Sequence, residues 1–170
     1  DQRLSPMAPD VTVVRLGHRQ QRDKRITSHL GLTARAMGAS HFVLCGDEDE
    51  GVLTTLADVS QTFGGDFTTE YRKGALSWLR HFKSEGGTIV HLTMYGEPHD
   101  EVTSQIDQTG SIAVVVGGAK VPGEIYKLAD HNVAVGHQPH SEVAALALFM
   151  AELMGSVAGP ENFPNARLEV

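Results

Sequence analysis

A chain of 170 residues with 41% apolar side chains has the size of one domain and enough apolar surface for one core. Its net charge of −7 argues against a surface broadly adapted to nucleic acid, and it has no run near the roughly 20 apolar residues of a membrane span. A lone cysteine, Cys45, excludes an internal disulfide, and a start without signal-peptide order leads us to expect a soluble, cytoplasmic protein.

Short β-branched runs alternate with helical patterns through the first half of the chain. Residues 11–16 and 40–45 are typical of strands, and residues 23–37 and 48–63 are typical of helices. The acidic run 47–50 (DEDE) suits the start of the second helix, where carboxylates favour the helix dipole. The first half therefore predicts two strand and helix pairs.

The second half continues this alternation after the stop at Gly64 and Gly65. Residues 67–71 are followed by a predicted helix at 72–82, a strand at 88–92 and a helix at 98–106 that begins at a proline. Two further segments each run from an apolar strand through a Gly/Pro loop towards a helix: IAVVVGGAKVP at 112–122 and VAVGHQPHSEVAALALFM at 133–150.

Repeated alternation with strands that are apolar on both faces predicts an α/β fold with a largely parallel sheet covered by helices on both faces. We expect one domain over residues 1–170, with its core at about 11–154 and peripheral tails at 1–10 and 155–170. In such sheets ligands bind at the carboxyl ends of strands. These ends carry four loops, at 17–19, 93–96, 117–120 and 136–140.

The loops match neither GxxxxGK[ST] nor GxGxxG, so a nucleoside triphosphate or a dinucleotide is a poor candidate ligand. Glycines with few charges suit an uncharged or zwitterionic adenosine-like molecule better. The alternative explanation of these glycines is that they only make tight turns at strand ends.

Four motifs in order resemble the archaeal tRNA 2′-O-methyltransferases that modify cytidine 56 in the T-loop. They are LGHRQQRDKRITSHLGLTARAMGA, VHLTMYG, VVVGGAKVP and LADHNVAVGHQPHSEVAALA, within a resemblance that covers about residues 11–153. That family belongs to the SPOUT class, so the resemblance implies a deep trefoil knot in the C-terminal part and a homodimer. Knotted chains are rare, and composition alone would not suggest one.

The resemblance also implies that S-adenosyl-L-methionine is the methyl donor and that it lies against three loops. The implied donor-binding residues are Leu92, Thr93, Gly117, Gly118, Ala119, Lys120, Val121, Val135, Gly136, His137, Gln138, Pro139 and His140. Glycine would let backbone approach the adenosine, and Leu92 and Val135 would form apolar walls. Lys120 has two equal explanations, contact with a carboxylate or a solvated turn.

The implied reaction moves a methyl group to a ribose 2′-hydroxyl, so a side chain must handle one proton or stabilise the developing alkoxide. In the wider class this role goes to an arginine of the first motif, but Leu32 stands at that position here. The candidates become Arg22 first and Arg25 second. Because guanidinium stays protonated, either would act as a hydrogen-bond donor.

Histidines at loop ends are the alternative proton acceptors, and the two candidates are His18 and His140. His140 also suits a plain role as an N-cap or loop-ordering residue. His29 lies one helical turn after Arg25, where packing or a dimer contact is the simpler explanation. His137 and His140 form an HxxH pair, but no third ligand has a recognisable spacing, so we expect no metal.

RNA contact is expected at a basic cluster formed by Arg19, Arg22, Lys24 and Arg25, although these residues also suit a solvated helix turn. A predicted helix at 141–154 is apolar nearly all round, which predicts burial by the sheet on one side and by a second subunit on the other. The expected partners are tRNA and a second copy of the chain, with neither membrane nor DNA.

Three functions therefore compete at this point. The first is the tRNA methyltransferase that the resemblance implies. The second is another enzyme with an adenosine-type ligand on a doubly wound sheet, and the third is a non-catalytic module that binds RNA or a metabolite.

Overall fold

Six parallel strands form one sheet in the computed structural model, which describes residues 9–118 and 120–170. The strands lie in the order β3-β2-β1-β5-β4-β6, and every neighbouring pair is parallel. Their bounds are β1 Asp10–His18, β2 His41–Gly46, β3 Thr68–Arg72, β4 Thr88–Pro98, β5 Ser111–Val116 and β6 His131–Ala134. The predicted parallel sheet is confirmed.

Helices cover both faces of this sheet, as the two-sided apolar strands predict. They are α1 Lys24–Ala36, α2 Glu50–Phe63, α3 Ala75–Ser84, α4 His99–Val102, α5 Gly123–Leu128 and α6 Glu142–Met154. Val13 on one face packs with α1, α2 and α6, whereas the next residue, Val14, packs on the other face with α3 and α5. Successive strand side chains alternate between faces, so both cores depend on the same strands.

Two predicted helix boundaries were wrong. Arg72 was expected to begin a helix, but it pairs with Cys45 as the last residue of β3, and α3 begins only after the N-cap Gly74. The predicted helix at 98–106 is a single turn of α helix, α4, followed by a 3-10 turn at Thr103–Gln105. Pro98 is held in extended conformation by pairing with Ala134, and this tertiary pairing prevents it from starting the helix.

The last strand, β6, pairs with β4 on either side of a register shift that leaves residues 93–96 as a loop. Val133 pairs with Leu92 before the loop and with Glu97 after it. At Gly96 the loop passes so close to β6 that an added Cβ would lie 2.5 Å from the carbonyl carbon of Asn132. This contact fixes the 93–96 loop against the end of β6.

The C-terminal segment packs against α1 and the end of α2. The backbone N–H of Arg167 donates to Thr62, and that of Gly65 donates to Pro164. The Arg35 guanidinium lies 4.6 Å from the centre of the Phe163 ring, and a cavity of about 660 Å³ lies between Arg35 and the segment. Residues 1–8 of the other predicted tail lie outside the described residues.

A buried chain of hydrogen bonds joins β1 to α1 and α2. The Arg15 Nε donates to Thr27 Oγ1 at 3.1 Å, and that hydroxyl lies 2.7 Å from His18 Nδ1. His18 Nε2 lies 2.9 Å from Asp49, which also accepts from Lys24 Nζ at 2.9 Å. When the Thr27 hydroxyl donates to Nδ1, the His18 proton is on Nε2 and is donated to Asp49. Each polar group in this series then has a hydrogen-bond partner. Burial raises the pKa of Asp49, but the bonds from Lys24 and His18 outweigh burial and lower it.

We expect Asp49→Asn to lower the free energy of unfolding by about 2 kcal/mol, because it weakens the hydrogen bonds that the buried carboxylate accepts from His18 and from the partly exposed Lys24. The carboxylate stabilises the fold above its ordinary pKa of about 3.9, and this stability is lost as pH falls through the lowered pKa of the folded state. Urea unfolding between pH 7 and pH 3 should therefore show a weaker acid dependence in the variant. The control, Asp47→Asn at an exposed carboxylate, should change stability by less than about 0.5 kcal/mol. Equal acid dependence in wild type and Asp49→Asn would contradict this role.

The close approach of the β4 loop to β6 predicts that Gly96→Ala destabilises the fold by about 1–3 kcal/mol, since the new methyl group would meet backbone that cannot move aside. The control is Gly123→Ala at the start of α5, where an added Cβ meets nothing within 4 Å. Urea midpoints measure both variants. An unchanged midpoint for Gly96→Ala would show that the loop is not held against β6.

Candidate active site

A cavity of about 580 Å³ lies at the carboxyl ends of β4, β5 and β6. The loops that follow these three strands form its walls, as the parallel sheet predicts. Ten residues that were predicted to bind the methyl donor line it: Leu92, Thr93, Gly117, Gly118, Val121, Val135, Gly136, Gln138, Pro139 and His140. Residues that lie far apart in the sequence are thus brought to one place.

Three other predicted donor-binding residues are placed differently. Lys120 is exposed and does not line the cavity. His137 is also exposed, and its Nε2 donates to the Gly96 carbonyl at 3.1 Å, which ties the 136–140 loop to the 93–96 loop. Ala119 lies outside the described residues.

Two of the glycines have different physical roles. An added Cβ at Gly118 would lie 3.3 Å from the Gly17 carbonyl oxygen, so this glycine lets the β5 loop pack against the β1 loop. Gly136 has φ +74°, a conformation that favours glycine, and an added Cβ there would meet only His140, at 3.9 Å. Gly118 therefore serves packing within the protein, whereas Gly136 leaves open space at the cavity.

One wall of the cavity presents a buried acceptor at His91. The Asn132 Nδ2 donates to the Tyr126 carbonyl, so its Oδ1 faces His91 Nδ1 at 3.0 Å and fixes the proton there. The Nε2 lone pair then has no partner among the described residues, although the side chain is 1% exposed. Burial lowers the pKa of His91, which keeps the ring neutral. Tyr126 packs edge-on at 4.8 Å and lines the same cavity.

A charged pair, Arg15 and Glu142, lies where the cavity meets β1. The Arg15 Nη1 donates to the Gly117 carbonyl at 2.8 Å and lies 3.5 Å from the Glu142 carboxylate. Arg15 is 2% exposed, and Asp23 lies 3.7 Å from its other nitrogen. Burial raises the pKa of Glu142, although the charge of Arg15 opposes the rise. Burial also lowers the pKa of Arg15, whose guanidinium nevertheless stays charged.

The predicted catalytic arginines lie outside this cavity. Arg22 and Arg25 are exposed at the start of α1, and neither lines the cavity. Their neighbours in the basic cluster have acidic partners: Arg19 binds Asp23 through two side-chain nitrogens, and Lys24 binds Asp49. Among the described residues, Arg22 and Arg25 are the members of the cluster without an ion pair.

The two candidate histidines differ in exposure and in partners. His18 is 1% exposed, and both of its ring nitrogens are bound within the buried chain of hydrogen bonds. His140 lines the cavity, with Nε2 2.5 Å from the Val135 carbonyl and Nδ1 3.0 Å from the Ser141 carbonyl. Two carbonyl acceptors favour the doubly protonated ring, so these bonds raise the pKa of His140. This geometry favours a loop-ordering role over proton acceptance.

Sequence reasoning missed Arg15, Glu142 and His91. An arginine within the apolar run VTVVRLG was a usable signal, because a charge in a buried strand requires partners. Glu142 gave no such signal in the sequence, since an acidic residue in the first turn of a helix is common. His91 lies within the predicted strand at 88–92, two residues before the predicted loop at 93–96.

Other candidate groups have plain explanations. Burial raises the pKa of the Cys45 thiol to about 12, which makes it a poor nucleophile. Within 9–118 and 120–170, no group of three or more His, Cys, Asp or Glu residues is placed to hold a metal ion. Over the same residues, no helix is both long and apolar enough to cross a membrane.

Structural comparison places the fold among RNA methyltransferases. The TrmH/SpoU tRNA modifying enzyme of A. aeolicus superposes with a TM-score of 0.64 at 17% identity, over 91% of this chain and 78% of that chain. The SpoU methyltransferase AviRb of Streptomyces viridochromogenes, solved with the cofactor AdoMet, gives 0.63 at 15% identity, over 90% and 60%. At these identities the likeness shows the fold alone.

Sequence comparison is more specific. A relative from Methanopyrus kandleri, the tRNA (cytidine(56)-2′-O)-methyltransferase, is 46% identical over 164 residues, which are 96% of this chain and 92% of the relative. The family model described as tRNA ribose 2′-O-methyltransferase, aTrm56, matches residues 63–170, which include every loop of the cavity. The chain therefore belongs to the aTrm56 family of tRNA ribose 2′-O-methyltransferases.

Proposed function

We propose that this protein transfers a methyl group from S-adenosyl-L-methionine to the 2′-hydroxyl of cytidine 56 in tRNA. The observation that carries the proposal is the cavity of about 580 Å³, where three strand-end loops of a chain in this family converge. Relatives from Methanopyrus kandleri and Methanothermobacter thermautotrophicus, 46% and 48% identical, bear the name of this activity. The expected place of action is the cytoplasm, where the proposed substrate would be met.

The residues of the cavity fit the proposed donor. Leu92 and Val135 form apolar walls that suit the adenosine, and His91 lines the same cavity as a neutral side chain. The open left-handed Gly136 suits a close approach of a ligand to backbone. When bound, S-adenosyl-L-methionine supplies an electrophilic methyl group, and the protein contributes position and proton handling.

The basic cluster supplies the proposed tRNA contact. Arg22 and Arg25 are the two cations of the cluster that are free of acidic partners in the described part of the chain, so they can bind phosphate without breaking an internal pair. His18 acts as a positioning residue, since both of its ring nitrogens are bound. His140 orders the donor loop through the Val135 carbonyl.

Two further features belong to this proposal. The chain after β6 passes through the β4 loop and forms the trefoil knot; the loop at the register shift, where Val133 pairs with both Leu92 and Glu97, is the support for this path. Two copies form a homodimer through α6, where Leu148 is 58% exposed beside Ala144 and Ala147. An exposed leucine flanked by alanines suits close helix packing against a second copy.

The test of the function is methylation of an unmodified tRNA transcript with methyl-labelled donor. Digestion to nucleosides should yield labelled 2′-O-methylcytidine from position 56, and a tRNA with 2′-deoxycytidine at that position should remain unlabelled. Binding of the donor without methylated tRNA would favour a different adenosine-ligand enzyme. Binding of tRNA without any turnover would favour a non-catalytic module.

Replacing both Arg22 and Arg25 by alanine should weaken tRNA binding about tenfold, equivalent to about 1.4 kcal/mol. Each lost phosphate contact should also reduce the slope of log affinity against log salt by about one. Filter binding across a salt series measures both effects, and donor affinity should stay unchanged. The matched control is Arg80→Ala on α3, which covers the opposite face of the sheet. A wild-type salt slope in the double variant would show that other residues bind the phosphates.

A further inference from the structure

The Glu142 carboxylate is the one acidic group that lines the donor cavity within residues 9–118 and 120–170. Its side chain is 36% exposed, and it stands in the first turn of α6, directly after the loop that carries His140. It also lies close to the turn before α1, since Arg15, 3.5 Å from Glu142, lies 3.7 Å from Asp23 in that turn. Glu142 thus stands at the junction of the donor cavity and the basic cluster.

The other charges around Glu142 leave its oxygens available. Arg15 from β1 approaches at 3.5 Å but donates its hydrogen bonds to Gly117 and Thr27. Arg19 from the turn before α1 binds Asp23 through its side-chain nitrogens. Glu142 therefore lies near a positive charge, but its oxygens accept no hydrogen bond from Arg15.

This arrangement suits a general base. Partial burial disfavours the charged form of the Glu142 carboxylate, while the nearby Arg15 guanidinium favours it. The net effect raises the pKa of Glu142, which brings its basicity closer to the operating pH than that of an exposed glutamate. His140 on the same wall is held by two carbonyl groups and does not compete for the proton.

We infer that Glu142 accepts the proton of the ribose 2′-hydroxyl, with Arg15 as the residue that positions it. The inference rests on the proposed function and names the proton acceptor that Arg22, Arg25 and His18 do not supply from their places in the fold. As the 2′-oxygen bonds to the methyl carbon, its proton passes to the Glu142 carboxylate. The carbon–sulfur bond breaks in the same displacement, and its electron pair remains on sulfur.

The test compares Glu142→Gln with Glu142→Asp and with the control Glu50→Gln. Glu50 is also the first residue of a helix, but it is exposed on α2 and outside the cavity. Single-turnover methylation should fall roughly 10²–10⁴-fold in Glu142→Gln, as expected for loss of a general base, and less in Glu142→Asp. Glu50→Gln should keep the wild-type rate. Donor and tRNA affinities, measured by calorimetry and filter binding, should stay within about threefold of wild type in all variants.

A second readout does not depend on turnover. In the wild-type protein labelled with ¹³C at glutamate carboxyl carbons, one resonance should titrate above the ordinary glutamate pKa of about 4.3 and should be missing in Glu142→Gln. As pH is lowered through the range in which that resonance titrates, the methylation rate of the wild type should decrease, because protonated Glu142 cannot accept a proton. A wild-type rate in Glu142→Gln, or a Glu142 resonance that titrates at or below the ordinary value, would overturn the inference. Absence of tRNA methylation by the wild type itself would instead overturn the proposed function, and the carboxyl titration would still decide the state of Glu142.

Discussion

The hydrogen bonds of the buried Arg15 guanidinium join β1, α1 and the β5 loop at the edge of the candidate site. The guanidinium donates to the Gly117 carbonyl on one side and to Thr27 on the other, so a single side chain holds the β5 loop and α1 against β1. A buried charge is tolerated only when it is paired and hydrogen-bonded, and Asp23 and Glu142 supply the opposite charge. Loss of this guanidinium would leave the Glu142 carboxylate without its nearest cation at the edge of the cavity, whereas Asp23 would keep its bonds to Arg19.

The same residue, Arg15, places one charged side chain, Glu142, at the edge of a cavity that is otherwise low in charge. Its walls consist mainly of backbone, apolar side chains and the neutral His91, which suits a ligand read by shape and by a few hydrogen bonds. Glu142 is the exception, and Arg15 keeps it ionisable in a partly buried position. The exposed arginines Arg22 and Arg25 lie outside the cavity, where a phosphate backbone can reach them. In the proposed function, donor binding, proton transfer and tRNA binding thus fall to neighbouring but separate groups.

The sequence predicted the sheet well because buried parallel strands have long apolar runs, and β1, β2 and β5 are such runs. The predicted helix starts at Arg72 and Pro98 were wrong, because each residue pairs with another strand. This pairing overrides the local preference of the sequence for a helix. The convergence of the three loops on one cavity was predictable because parallel strands bring their carboxyl ends to one edge. The Arg15–Glu142 pair was not, since 127 positions separate the partners and no periodic pattern connects them. The knot was expected only from the family resemblance, whereas the dimer was expected both from the resemblance and from the apolar helix at 141–154.

The most direct test of where the donor binds is a titration of the ¹⁵N-labelled protein with S-adenosyl-L-methionine, followed by amide chemical shifts. The largest shifts should fall on residues 92–95, 116–118 and 135–142, which form the walls of the cavity at the carboxyl ends of the strands. Shifts confined to the second cavity, around Arg35 and Phe163, would contradict the placement of the methyl donor, as would saturation without any change in the three loops.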